Sequence, residues 1–124
     1  MTSLEKFRRS LVEQEKTQHK KAQSLSQNDR QDEAIMAKIT GNMYKILIEI
    51  SGMAEKRHKG AELSYITNFM ENQLRAPWQK SLAIAEQHGD HVKAAHENIK
   101  ISTLAEIEKV LISIYEGAAA HDGQ

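Results

Sequence analysis

Cysteine is absent from the 124 residues, which excludes a disulfide framework, a thiolate nucleophile and any zinc site built on sulfur. Proline occurs once, and aromatic residues make up 5% of the chain. Strands draw heavily on aromatic and β-branched residues, so this shortage points toward packed helices. Neither charge is in excess, since 17 Lys and Arg balance 17 Asp and Glu. With no long-range field to attract polyanions, nucleic acid and anionic membrane are not favoured partners. Long apolar runs are missing as well: no stretch approaches the roughly 18 residues of a membrane span, and MTSLEKFRRSLVEQEK has no secretion-signal core. The expected location is the cytoplasm.

What is present reads as helix. The length suits one domain spanning 1–124, with room for one contiguous core. Thr2 and Glu5 have capping-box spacing, and Leu4, Phe7 and Leu11 recur on one face of the helix they open. From Glu13 the apolar pattern disappears, so 13–33 is expected to be a partly mobile polar helix followed by a connection through Ser24–Asp29. Asn28 or Asp29 is the expected cap of the second helix.

That second helix is the most legible element. Met36, Ile39, Met43, Ile46, Ile50 and Met53 alternate at spacings of three and four, the pattern of a heptad seam. Lys56 to Lys59 place cations at its C-terminal end, and Gly60 provides a left-handed stop. Leu63, Ile66, Met70, Leu74, Trp78 and Leu82 form a third stripe that keeps its phase across Pro77, predicting one helix kinked at the proline. Gly89 and Asp90 supply a stop and a cap. A last helix from Val92 carries a phase slip between Ile99 and Leu104, where a local break near Ser102–Thr103 is compatible with the pattern. Residues 118–124 should fray. The expected architecture is an all-α, up-down bundle of about four helices.

Two helices carry more apolar surface than a monomeric bundle requires. Ile48 lies opposite the seam near Gly41, Tyr44 and Gly52, and Ile112 and Tyr115 widen the apolar face of the last helix. Glycine inside a helix costs about 0.5–1 kcal/mol relative to alanine, so Gly41 and Gly52 imply a close approach by another backbone. These six residues are the expected self-association face or partner groove, with a homodimer as the first expectation and an amphipathic helix of another protein as the second.

Catalytic chemistry has little to stand on. His88, His91 and His96 lie close in sequence with Asp90 and Glu97, yet Gly89 interrupts the helix, and a five-residue separation puts His91 and His96 on different faces. Glu55 and His58 match one Glu-x-x-His element of a di-iron bundle, a design that needs two. The serines lie in no nucleophile elbow, and no phosphate-cradling glycine loop exists. No catalytic residue, metal site or cofactor is therefore expected. The basic clusters Arg8–Arg9 and Lys16–Lys21 lack interleaved aromatics for base stacking. The reading is a non-enzymatic helical-bundle interaction protein; a His/carboxylate metal-binding bundle is the alternative, and weak nucleic-acid binding comes third.

Overall fold

A computed structural model describes the backbone of residues 1–122 and the side chains of residues 1–119. Among these residues all regular structure is helical. It comprises α1 (Ser3–Gln27), α2 (Gln31–Arg57), a third rod made of α3 (Glu62–Phe69), a π-helical segment (Met70–Arg75) and α4 (Ala76–Gln87), and finally α5 (His91–Asp122). No described helix is long and apolar enough to cross a membrane.

Each rod starts and stops for local reasons. Thr2 Oγ1 accepts the Glu5 amide at 3.1 Å and opens α1. The expected connection at Ser24–Asp29 is shorter than the polar residues implied, because α1 continues to Gln27. Burial of Leu25 against Ala34 and Ala37 outweighs the competition of neighbouring serines for the backbone. Asp29 then takes a left-handed conformation (φ 59°) and terminates α1, with the Arg30 amide donating to the Leu25 carbonyl at 2.9 Å. Neither Asn28 nor Asp29 caps α2. Asn28 Nδ2 donates back to Ser24 at 2.9 Å, and Arg30 occupies the N-cap position without a side-chain cap. Gly60 (φ 86°) and Gly89 (φ 69°) turn the chain as expected, and Asp90 Oδ1 accepts the Lys93 amide at 3.1 Å to open α5.

The main core joins Phe7 and Leu11 of α1, Met43, Leu47 and Ile50 of α2, Ile66, Met70 and Leu74 of the third rod, and Leu104, Ile107 and Leu111 of α5. A second, thin cluster holds α1 to α2 through Leu25, Ala34 and Ala37. Along this stretch the helices approach on small residues: a Cβ on Gly41 would lie 3.2 Å from His19 Cε1 and 3.4 Å from Gln18 Cβ.

The seam expected on α2 is covered only in part. Met43 and Ile50 are buried and Ile39 and Ile46 half-buried, whereas Met36 and Met53 are exposed. The row Met36, Met43, Ile50 is in phase, but it outruns its cover, because α2 meets the third rod at α3 while α4 packs on α5.

Pro77 does not break the third rod. Ala76 donates to the carbonyl of Glu71, five residues back, and Phe69, Met70, Arg75 and Ala76 all keep right-handed helical angles. The widened turn relieves the clash between a proline ring and the carbonyl four residues before it. Arg75 clamps this segment, pairing with Glu71 within it and reaching Glu108 of α5 at 3.2 Å. Burial disfavours the Arg75 charge, and the two carboxylates outweigh it, raising the guanidinium's affinity for its proton.

α5 is unbroken through Ser102–Thr103; Ser102 Oγ bonds the Asn98 carbonyl at 2.7 Å within the helix, and Thr103 is buried. The segment 118–124, expected to fray, is helical to Asp122, and its last two residues lie outside the described ones.

Candidate functional site

The six residues expected to form an outer association face are divided by the fold. Gly41 is buried against α1, and Gly52 lies beside Arg8, whose Nη2 would be 3.8 Å from an added Cβ. The close approach implied by Gly41 is therefore made by α1 of the same chain, whereas Gly52 meets only the far end of the Arg8 side chain at ordinary contact distance, and no helix crowds it. Tyr44, Ile48 and Tyr115 are half-buried and pack on the main core. Burial raises the phenol pKa of Tyr44, assisted by the charge of Glu106, and that of Tyr115, assisted by Glu62. Of the six, only Ile112 is an exposed apolar side chain, beside exposed Val110. The second apolar face of α2 is thus spent inside the chain, because α1 lies along it.

The residues considered for metal binding have other neighbours. Glu55 pairs with Arg8, and the His58 ring stacks on Tyr65 with centroids 4.0 Å apart. His91 and His96, expected on different faces, line one groove together with Asp32. Among the described residues no three His, Asp or Glu side chains converge as a metal site requires.

That groove is the feature that spacing alone did not reveal. Where α4 leaves α2 uncovered, the N-terminal ends of α2 and α5 border a cleft of about 330 Å³ walled by Ile35, Met36, Val92 and Ala95, with Asp32, His91 and His96 at its edges. Val92 is 67% exposed, Ile35 45% and Met36 41%. Met36 stands seven residues before buried Met43, and Val92 eleven before buried Thr103, about two and three helical turns respectively. Both side chains therefore sit on stripes that are buried further along their helices.

A second hollow of about 390 Å³ adjoins the first, sharing Val92 and His96 and adding Ile39, Asp90, Lys93, Glu97 and Lys100. Glu97 Oε1 pairs with Lys100 Nζ at 3.0 Å, and the same ammonium lies 4.9 Å from the centre of the Trp78 ring. Glu97 Oε2 is buried without a hydrogen-bond partner. In the sequence Glu97 reads as a solvated charge between Ala94 and Ile99; its burial depends on how α4 and α5 pack.

Chemically, the cleft offers apolar surface for burial, and the adjoining hollow adds one unpartnered acceptor and side chains of both charge signs. Such a surface binds by exclusion of water and one directed hydrogen bond. No protein-family model, curated protein or solved structure matches the chain.

Proposed function

We propose that this chain is a non-enzymatic interaction protein acting through helix–helix association, with a second copy of itself as the first partner and the open end of the bundle as the interface. The observation that carries the proposal is one apolar cleft formed where Met36, in phase with the core residue Met43 of α2, and the largely exposed Val92 of α5 are left uncovered. Apolar side chains aligned with a core and left at the surface are characteristic of interfaces rather than of scattered tolerated exposure.

Self-association suits the distribution of charge. The groove and its adjoining hollow carry Asp32, Asp90 and Glu97 together with Lys93 and Lys100. A two-fold interface that lays the groove of each copy over that of the other, with its axis beside the hollow, brings acidic and basic groups together. In this reading the third rod bends at its π-helical segment, drawing α4 toward α5 and leaving the α2 side open. This interface does not use the α2 residues around Ile48, whose face lies along α1.

The experiment is light scattering coupled to size exclusion, comparing wild type with Val92→Asp. Val92 is largely exposed, so the substitution spares the fold. A dimeric wild type converted to a folded monomer is expected. A monomeric wild type, or a variant that keeps the wild-type mass, would refute this interface.

A further inference from the structure

Glu97 is the one buried side-chain acceptor without a partner among the described residues. Its side chain is 8% exposed, and it lines the hollow that adjoins the apolar cleft. Lys100, held to Oε1 at 3.0 Å and stacked on Trp78, satisfies one oxygen and leaves the other. A carboxylate oxygen withdrawn from water with no donor weakens the isolated subunit, because its lost hydration is not replaced. An interface that brings a donor to it turns that cost into selectivity for the group supplied.

Resting on the self-association reading above, we propose that Glu97 is the buried anchor of the interface and that its Oε2 receives the ammonium of Lys93 from a second copy. In a two-fold contact whose axis passes beside this hollow, groups lining it in one copy face the hollow of the other. Its cationic lining comprises Lys93, Lys100 and, when protonated, His96. Lys100 is engaged with Glu97 of its own chain. Lys93 is exposed and forms no ion pair among the described residues. Asp90 and Glu97 balance Lys93 and Lys100, so two such surfaces meet without net repulsion. The geometry accordingly selects a second copy over a strongly acidic or strongly basic partner.

Sedimentation equilibrium of wild type, Glu97→Leu, Lys93→Gln and the double variant, with the melting temperature of each taken at a dilution where all are monomeric, tests the assignment. Glu97→Leu should weaken association about tenfold or more while leaving the subunit's thermal stability unchanged or raised, a split that a purely structural carboxylate would not produce. Lys93→Gln, at an exposed position, should weaken association by a similar factor without altering melting. The double variant should be no weaker than either single one, as expected for two groups acting as a pair. Association of either single variant at wild-type strength, while Val92→Asp still dissociates, would overturn the Glu97–Lys93 pairing and leave self-association standing. A wild type that remains monomeric would overturn both.

Discussion

Gly41 allows the packing of α1 on α2 to be tested by size alone. Alanine there gains about 1 kcal/mol of helix propensity. Its methyl group would meet the His19 ring at 3.2–3.3 Å, tight enough to force a small movement. The ring is the far end of a half-exposed side chain whose link to Glu15, at 3.4 Å, is a surface contact worth less than about 1 kcal/mol. Gly41→Ala should therefore be neutral or stabilising, by up to about 0.5 kcal/mol. Leucine meets a different obstacle. Its added atoms extend from a Cβ already 3.4 Å from Gln18 Cβ, an atom fixed to the α1 backbone that cannot swing aside. Overpacking of this kind costs about 1–3 kcal/mol, so Gly41→Leu should destabilise and pry α1 from α2. Urea denaturation gives the free energies, and amide exchange over residues 13–27 reports whether the loss is local. A Gly41→Leu protein with wild-type stability and unchanged exchange would refute the close-approach argument.

Two further perturbations address the core and its pH dependence. Leu104→Ala empties a fully buried site in the main core and should cost about 2–5 kcal/mol, whereas Leu25→Ala, in the thin α1–α2 cluster, should cost less than about 2 kcal/mol; equal losses in denaturation midpoints would contradict the division into a thick and a thin cluster. Glu62 accepts the Gly60 amide at 3.0 Å, and that bond, with one from its own amide and the nearby Lys59, outweighs desolvation to hold its carboxyl below the usual pKa. A depressed folded pKa contributes stability above the ordinary carboxylate range that is lost as pH falls through the folded value. Glu62→Gln should thus melt below wild type at neutral pH, with the gap closing on acidification; a gap independent of pH would exclude this linkage.

Helix identity and most helix ends were legible because they depend on near neighbours in the chain. Thr2, Gly60, Gly89 and Asp90 act within a few residues of themselves, and their roles follow from residue type. Continuity of α5 through Thr103 was left open by spacing, and burial of Thr103 beside Leu104 decides it. Less legible was which apolar residue has a neighbour. Met36 and Met43 occupy the same phase of α2, yet only Met43 is covered, because the third rod reaches α2 at one end. Gly41 signalled a close approach correctly in kind, but the approaching helix was α1, whose polar second half gave no apolar sign of its path. Glu97 illustrates the same gap, since a carboxylate among lysines and histidines carries no mark of burial.

The π-helical segment bears on how much length the third rod tolerates. Ile66, Met70, Leu74, Trp78 and Leu82 recur at an unbroken interval of four residues. On an uninterrupted α-helix such a row winds away by about 40° at each step, enough to carry its last members off the face of its first. The wider turn across Met70–Arg75 takes up that drift, functioning as an inserted residue hidden within the helix. Deleting one residue there would let the turn close to ordinary α pitch with everything downstream, including Trp78 and the Ala85 contact, kept on its present face, whereas closing it at full length would rotate those residues by about 100° relative to α3. The segment is consequently a reserve of one residue: a single deletion is absorbed by closing the wide turn, whereas a single insertion turns everything after it by about 100°.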